Sequence, residues 1–218
     1  MLLAIDTSAG TAVAIVDDDG RMLASRSTPD TRRHAEVIGP FLAEVLAEAG
    51  VAHAGVAHAG AAHAGGAALT GVVAGIGPGP FTGLRVGIAA ARAVALARGL
   101  PLHAVPSHDA VALAQVVGGV AAGRFAVVTD ARRREVAVTV YTAQLPVPVV
   151  LEPPHLIARA AFVPAHDVPA FEVAEIPAVE LARVAQARLA AGIRLPEAAP
   201  LYLRAPDVTL SSPKRVTG

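Results

Sequence analysis

The sequence predicts an α/β fold of two lobes, chiefly from the order of its apolar runs and helical periods. Three apolar runs come first, each bounded by turn residues, and they predict strands at 2–6, 11–16 and 21–28. A helix, a strand, a second helix and another strand follow, at 34–48, 71–77, 83–98 and 101–105. This order is the layout of a ribonuclease-H-like α/β unit.

A second, reduced copy of this unit is predicted after Pro106. The stretch FAVVTD at 125–130 repeats the opening pattern of an apolar strand that ends in aspartate, and EVAVTVY at 135–141 is its predicted hairpin partner. Beyond about residue 145 the periodicity is weak, apart from a helix near 178–191. We therefore expect an N-terminal lobe and a smaller C-terminal lobe, with bounds 1–106 and 107–218.

Composition excludes several classes of function. The 218 residues include 18 basic and 18 acidic side chains, so no overall charge draws the chain to nucleic acid or to an anionic membrane. Contact with RNA must then be local or supplied by a partner. The absence of cysteine excludes disulfides and thiolate metal sites. No signal peptide and no apolar run of about 18 residues is present, so we expect a cytoplasmic protein without a membrane partner.

A histidine repeat occupies residues 51–65, which read VAHAGVAHAGAAHAG. A spacing of five residues turns a helix by about 500°, and in a strand it alternates the two faces. His53, His58 and His63 therefore do not converge in either geometry. We expect a linker or a helix extension here, and no metal site in the chain.

Asp6, followed by TSAGT, lies where ribonuclease-H-like nucleases place their first metal-binding carboxylate and where actin-like ATPases place their first phosphate loop. A nuclease would need further acids to hold two metal ions, but the strand at 71–77 ends in Ile76 and Gly77. Nuclease activity is therefore disfavoured.

ATP turnover by this chain alone is disfavoured by its second predicted hairpin. An actin-like ATPase needs a small, glycine-bearing turn there, but this sequence has Arg132, Arg133 and Arg134 where backbone must approach phosphate. Glycine is also sparse after Gly123, so the glycine-rich loop that admits adenosine is missing.

Ser107, His108 and Asp109 are residue types of a hydrolytic triad, but adjacent residues cannot point at one another as nucleophile, base and orienting acid. We expect Ser107 to cap a helix at 108–116 and Asp109 to lie in its first turn. No helix carries two histidines at a metal-binding spacing. The sequence thus predicts no catalytic residue.

The segment GIGPGPFTGLRVG combines a rigid loop with the start of a helix. Glycine and proline fix the loop, and Thr82 is a candidate cap. The signature residues are Gly77, Pro78, Gly79, Phe81, Thr82 and Gly83. The helix itself is apolar on more than one face, with Leu84, Ile88, Val94 and Leu96 as packing residues. This pattern favours a partner helix from another subunit, although an ordinary core helix would also explain it.

Several segments together resemble the bacterial TsaB (YeaZ) family, the accessory component of tRNA threonylcarbamoyladenosine synthesis. They are LLAIDTS at 2–8, RRHAEVIGPFLAEVL at 32–46, GIGPGPFTGLRVGIAAARAVALARGLPLHAVPS at 75–107, VTDARRREV at 128–136 and PLYLR at 200–204. The histidine repeat and the stretch from about 145 to 195 depart from the family pattern. The resemblance implies an actin-like ATPase (ASKHA) or ribonuclease-H-like fold of two lobes.

The resemblance also implies a non-catalytic role. In that family a paralogous TsaD-like subunit transfers threonylcarbamoyl to adenosine 37 of tRNAs that read codons beginning with A. The TsaB-like chain pairs with this transferase, a small TsaE-like ATPase joins them, and tRNA is met only through the complex. Members of that family also self-associate, so the resemblance implies a homodimer of the chain alone through the helices at 34–48 and 83–98. No cofactor of its own is implied, although ATP can lie at the complex interface. The alternatives are a free-standing actin-like kinase or ATPase and a glycoprotease-like hydrolase.

Two sets of residues carry these expectations. The partner interface is expected at Arg33, His34, Val37, Phe41, Val45, Leu84, Arg85, Gly87, Ile88, Ala91 and Val94. Weak nucleotide or anion contact is the alternative to a purely structural role for Asp6, Thr7, Ser8 and Asp130. Gly87→Leu or Ala91→Arg should then abolish pairing with the transferase while the isolated chain stays folded.

Overall fold

The computed structural model describes residues 1–51 and 68–204, which form two mixed β-sheets and four helices. The strands of the first sheet are β1 (Leu2–Asp6), β2 (Thr11–Val16), β3 (Met22–Thr28), β4 (Gly71–Gly75) and β5 (Leu102–Val105). Their spatial order is β3-β2-β1-β4-β5. The first three strands pair antiparallel, whereas β4 and β5 continue parallel to β1. The α/β class and the strands predicted for the first lobe are confirmed.

The turn between β2 and β3 follows from its sequence, DDDG. The Asp17 carboxylate accepts hydrogen bonds from the backbone N–H groups of Asp19, at 3.0 Å, and Arg21, at 2.8 Å. Gly20 adopts a φ of 77°, in the left-handed region that glycine enters without steric cost. These contacts close the turn and set the register of the two strands.

Two helices, α1 (His34–Glu48) and α2 (Phe81–Arg98), cover one face of the first sheet. The bounds predicted for α1 are confirmed, and the helix runs through Pro40 without a break. α2 begins two residues earlier than predicted, because the extended Pro80 rather than Thr82 precedes its first turn. It ends as predicted at Gly99, which takes a left-handed φ of 62°. The histidine repeat between α1 and β4 lies outside the described residues, apart from Val51.

The second sheet has the strand order β8-β7-β6-β9. Its strands are β6 (Arg124–Asp130), β7 (Glu135–Thr142), β8 (Val149–Ala158) and β9 (Ala170–Glu172). The predicted β6–β7 hairpin is confirmed. β8 and β9 were not predicted, because β8 contains Pro153 and Pro154, and β9 has only three residues. Proline is tolerated in β8 because the strand lies at the sheet edge.

Helix α4 (Ala178–Ala190) packs against the other face of the first sheet, and α3 (Ser107–Val117) packs against α4 and β6. One hydrophobic cluster joins residues from both predicted lobes: Ala4, Val16, Val73, Val105, Val111, Phe125, Tyr141, Leu181 and Val184. The predicted boundary at 106/107 therefore lies inside a shared core. The second sheet adds a smaller cluster of its own on its outer face, formed by Ala126, Val128, Val136, Val138 and Val140.

His108 links α3 to the second sheet from a fully buried position. Its ring nitrogens lie 2.7 Å from the Thr139 hydroxyl and 2.9 Å from the Thr129 hydroxyl. Burial lowers the pKa of His108 to about 3, so the ring is neutral at physiological pH.

Asp109 links the same helix to β7 and α4. The Tyr141 hydroxyl donates to Asp109 Oδ1 at 2.7 Å, and the Arg188 guanidinium donates to Asp109 Oδ2 at 2.6 Å. Both carboxylate oxygens of a side chain that is 2% exposed are thereby paired. The side chains of Ser107, His108 and Asp109 form hydrogen bonds to residues elsewhere in the chain.

The depressed pKa of His108 makes stability pH-dependent in a defined direction. The unfolded chain binds a proton near pH 6.5 that the folded chain excludes, so stability is full above that pH and is lost below it. Between pH 7 and pH 5 we expect His108 to remove about 2 kcal/mol from the free energy of unfolding. Urea denaturation at both pH values, compared between the wild type and His108→Gln, isolates this contribution.

His34 and His103 remain in both proteins, so their titration cancels in this comparison. If His108→Gln does not fold, the same point is decided by NMR titration of His108 in the wild type. Protonation of that ring near pH 6.5 would contradict the assignment.

Candidate functional site

The loop after β1 carries Asp6, the first residue expected to contact an anion. Its carboxylate points back into the protein, and Oδ1 accepts hydrogen bonds from the backbone N–H and the hydroxyl of Ser8, both at 2.7 Å. Oδ2 accepts a 2.5 Å hydrogen bond from the Ser107 hydroxyl. The side chain is thus held by three donors within the chain.

Ser107 is a residue whose role the sequence did not reveal. It was expected to cap α3, but the helix begins at Ser107 itself after Pro106, with no side-chain cap. Its hydroxyl instead donates to Asp6 and accepts the backbone N–H of Gly77 at 3.0 Å. Its own N–H donates to the Gly77 carbonyl at 2.7 Å. Ser107 therefore joins the start of α3, the loop after β4 and the loop after β1.

Burial raises the pKa of Asp6, while the hydrogen bonds from Ser107 and Ser8 oppose this rise. The space around the carboxylate is closed by Gly75, where an added Cβ would lie 1.8 Å from Asp6 Oδ2. Only glycine allows β4 to approach the carboxylate this closely.

Thr7 fastens the same loop to α2. Its hydroxyl donates to the Gly83 carbonyl at 2.6 Å and accepts the Gly87 N–H at 2.9 Å. An added Cβ would lie 2.5 Å from the Thr7 carbonyl oxygen at Gly83, and 2.2 Å from the Thr7 hydroxyl at Gly87. The glycines of the loop–helix signature thus bring α2 onto the loop after β1.

The four residues considered for anion contact differ in exposure. Asp6, Thr7 and Ser8 are each 1% exposed, and their side chains form hydrogen bonds within the chain, which supports a structural role for them. Asp130 differs, because it is exposed at the end of β6 and forms a 3.4 Å ion pair with Arg132.

A cleft of about 210 Å³ lies between this loop and the second sheet. It is lined by Ser8, Ala9, Pro29, Thr31, Pro80, Asp130, Arg132, Val173 and Ala174. Of the four residues expected at an anion site, only Ser8 and Asp130 reach it. The Arg132 guanidinium crosses to the Thr31 hydroxyl and donates a hydrogen bond to it.

Five residues expected at the partner interface face inward instead. Val45, Leu84, Gly87, Ile88 and Ala91 are buried, and Val45, Ile88 and Ala91 belong to the hydrophobic cluster beneath α1 and α2. Within this chain these five positions face the first sheet or the loop after β1 rather than the exposed surface of the helices. His34 is also buried, and its Nδ1 lies 2.8 Å from the Thr11 hydroxyl. Burial lowers the pKa of His34.

The opposite side of α2 is exposed. We call it the outer face of α2: Thr82, Arg85, Ala89, Ala93, Leu96 and Ala97. Leu96 is 86% exposed, the most of the large apolar residues that the structure describes. Of the other residues expected at the interface, Arg33 and Arg85 are exposed, whereas Val37, Phe41 and Val94 are half-buried. Helical periodicity could not identify this face, because α2 is rich in apolar residues all round.

The segment before residue 204 lies along the start of α2. Tyr202 packs against Phe81 with ring centroids 4.4 Å apart, and its hydroxyl accepts a hydrogen bond from Arg85 at 2.8 Å. Further along α2, Arg92 donates to the Ala198 carbonyl at 2.7 Å. No local sequence pattern predicts the contact of Tyr202 with Arg85, because the two residues are 117 positions apart along the chain.

Within residues 1–51 and 68–204, no three side chains of His, Asp or Glu come together as metal ligands. None of the helices in these ranges combines the length and the apolar composition that crossing a bilayer requires. His53, His58 and His63 lie outside these ranges.

A family model described as TsaD, tRNA N6-adenosine threonylcarbamoyltransferase, matches residues 23–146, more than half of the chain. The chain belongs to the TsaD family. The match includes α1, α2 and the β6–β7 hairpin, so it covers most of the surfaces described above.

Within this family, the chain is structurally similar to YeaZ from Pseudomonas aeruginosa. The TM-score is 0.70 at 26% identity, over 93% of this chain and 99% of that one. This similarity confirms the resemblance to TsaB (YeaZ) and the actin-like, ribonuclease-H-like fold of two mixed sheets flanked by helices.

Two relatives match over part of their length. An uncharacterized protein of Mycobacterium tuberculosis is 43% identical over 137 residues, which cover 62% of this chain and 56% of that protein. The tRNA N6-adenosine threonylcarbamoyltransferase of Pelobacter propionicus is 33% identical over 127 residues, or 50% of this chain and 34% of the transferase. The chain spans about half the length of the first and a third of the second.

The packing around Asp6 makes Gly75 irreplaceable. In Gly75→Ala, the new Cβ would collide with the Asp6 carboxylate, so we expect the free energy of unfolding to fall by about 2 to 4 kcal/mol. The matched control is Gly39→Ala in α1, where an added Cβ meets nothing within 4 Å. Alanine favours helix over glycine, so this control should gain about 0.5 to 1 kcal/mol. Equal stability of the two variants in urea denaturation would contradict the close packing.

Proposed function

We propose that this chain is the non-catalytic but required partner of a tRNA N6-adenosine threonylcarbamoyltransferase. In this role it supports transfer of threonylcarbamoyl to adenosine 37 of tRNAs that read codons beginning with A. It binds a TsaD-like paralogue through the outer face of α2, and a small TsaE-like ATPase completes the complex. Its place of action is the cytoplasm.

The outer face of α2 is the observation that carries this proposal. Between Arg85 and Arg98, the exposed stripe is mainly alanine, with Leu96 projecting at 86% exposure. Alanine lets another helix approach closely, and a leucine that projects from such a surface fits a gap between side chains of the partner. The polar groups of Arg85 and Arg92 border the stripe, as in interfaces with a polar rim.

The closed loop after β1 supports the non-catalytic part of the proposal. In an actin-like ATPase this loop would hold phosphate. Here Asp6 accepts hydrogen bonds from Ser8 and Ser107, and Thr7 bonds to the backbone of Gly83 and Gly87. The loop thereby positions α2, and the chemistry belongs to the paralogue. We propose that the chain holds no cofactor of its own, and that any ATP lies at its interface with the partner.

The same helices support association of the chain with itself. α1 and α2 lie side by side on the first sheet. A two-fold homodimer through the outer face of α2 would pair that face with the same face of a second copy. We propose a homodimer when the chain is alone and replacement of one copy by the paralogue in the complex. The chain then associates with transfer RNA only indirectly, through that complex.

Substitution on the outer face of α2 tests the proposal without disturbing the core. Gly87→Leu and Ala91→Arg are unsuitable, because Gly87 contacts Thr7 and Ala91 is fully buried. Leu96→Glu places a charge on the exposed stripe, and we expect at least a tenfold weaker affinity for the transferase paralogue, with a melting temperature close to that of the wild type. Size-exclusion co-elution and calorimetric titration with the paralogue from the same genome measure this.

Val163→Glu is the matched control, since Val163 is 80% exposed in the loop before β9. It introduces the same charge at a similar exposed apolar position and should bind as tightly as the wild type. Unchanged affinity in Leu96→Glu would contradict the proposed interface. Equal weakening in both variants would also contradict it, since the loss would then come from charge alone.

A further inference from the structure

Two arginines on the exposed side of α2 have no carboxylate partner within residues 1–51 and 68–204. They are Arg85, which belongs to the outer face of α2, and Arg92, which borders that face. α2 itself contains no aspartate or glutamate that could pair with them. The exposed side of the helix therefore carries positive charge that no acidic side chain of α2 offsets.

The neighbouring helix α1 does not supply the missing carboxylates. Its Glu44 and Glu48 lie 2.6 and 2.9 Å from the Arg26 guanidinium, and its Glu36 lies 2.7 Å from that of Arg33. All three glutamates of α1 thus already have cationic partners.

A segment that we call the strap, residues 198–204, holds the two arginine side chains of α2. The Tyr202 hydroxyl accepts a 2.8 Å hydrogen bond from Arg85 Nε, and the Arg85 guanidinium carbon lies 5.7 Å from the centre of the Tyr202 ring. The Ala198 carbonyl accepts a 2.7 Å hydrogen bond from Arg92 Nη2. Since an arginine has five N–H donors on three nitrogens, each guanidinium keeps donors for a further acceptor.

The strap is itself fastened to the body of the protein. The Leu201 N–H donates to the Ile76 carbonyl at 2.8 Å, and Arg204 forms an ion pair with Glu135 at the start of β7. A fixed strap limits the rotation of the arginine side chains that bond to it. Less side-chain entropy is then lost when those arginines bind a partner.

The spacing of the two arginines indicates the chemistry of that partner. Arg85 and Arg92 are seven residues apart, which is nearly two helical turns, so they lie on the same side of α2 and about 10 Å apart along its axis. A guanidinium binds a carboxylate through two parallel hydrogen bonds, which makes arginine selective for acidic groups. A helix with two acidic side chains at the same spacing matches this surface.

We propose that Arg85 and Arg92, oriented by the strap, pair with two carboxylates on the facing helix of the transferase paralogue, and that this pairing makes the outer face of α2 select its partner. The inference rests on the proposed function and deepens it by naming the recognition chemistry. In a homodimer through the same face, the arginines meet a second α2 without acids, so like charges oppose the contact.

Arg85→Gln/Arg92→Gln removes both charges and keeps long polar side chains of similar helix propensity. We expect about tenfold weaker affinity for the paralogue in calorimetric titrations, together with a weaker dependence of that affinity on salt. The dissociation constant of the homodimer, measured by analytical ultracentrifugation, should instead fall by about threefold or more, because the repulsion is lost. Opposite changes in the two dimers are not expected from general damage to α2.

Arg21→Gln/Arg124→Gln is the matched control, with the same change in net charge. Arg21 lies in the turn before β3, and Arg124 is the first residue of β6 on the second sheet; both are exposed. Both dimers of this variant should keep affinities within about twofold of the wild type, because their contacts at α2 are unchanged. An equal loss of paralogue binding in the two double variants would overturn the proposal.

Two further outcomes would overturn the proposal. One is unchanged paralogue affinity in Arg85→Gln/Arg92→Gln. The other is weakening of both dimers by the same factor, since the arginines would then stabilise any contact of α2 by packing rather than select a partner by charge.

Tyr202→Phe tests the positioning role of the strap. It removes the acceptor of the Arg85 hydrogen bond and keeps the ring, so we expect about threefold weaker paralogue binding in the wild-type background. The same substitution should have no further effect in Arg85→Gln, because the two residues act through one contact. A loss of equal size in both backgrounds would show that Tyr202 acts independently of Arg85.

The wild-type chain and Leu96→Glu separate this inference from the proposed function. Failure of the wild type to associate with the paralogue would refute the proposed function. Association that is weakened by Leu96→Glu but insensitive to Arg85→Gln/Arg92→Gln would refute only the present inference.

Discussion

The buried carboxylate of Asp6 is the contact on which the arrangement of the loop after β1, the loop after β4 and the start of α3 depends. A carboxylate without water is unfavourable unless donors surround it, and here Ser8 and Ser107 supply them from two separate parts of the chain. Ser107 in turn holds the loop after β4 through the backbone of Gly77. One side chain thus joins the ends of β1 and β4 to the start of α3, at the junction between the two lobes.

In an actin-like ATPase the loop after β1 would bind phosphate. In this chain the hydrogen bonds of the same loop fix the position of α2. Thr7 bonds to the backbone of Gly83 and Gly87, which presses the inner face of α2 onto the loop and leaves Leu96 and its neighbouring alanines outside. On the other side of the cleft, the β6–β7 hairpin presents arginines instead of a glycine-rich turn.

The sequence was sufficient for the elements whose signals are local. The apolar run that ends at Asp6, the DDDG turn and the bounds of α1 all follow from composition and periodicity. It was not sufficient for the orientation of α2, because a helix apolar all round does not show which face meets the sheet. Serine is a residue type that often caps helices, so the sequence predicts that role for Ser107. Its role as a hydrogen-bond donor to Asp6 could not be predicted, because Asp6 is distant in sequence. Nor did it show that the two predicted lobes share a hydrophobic cluster, because α4 returns to the first sheet only after the chain has formed the second.

The most direct test of the central claim is a reconstituted modification assay. The purified chain, the transferase paralogue and the small ATPase from the same genome are mixed with threonylcarbamoyl-adenylate and unmodified tRNA, and modified adenosine is measured with each component omitted in turn. We expect modification to require this chain, and the chain alone to produce none. Equal modification without the chain would contradict its role as a required partner, and modification by the chain alone would contradict its non-catalytic character.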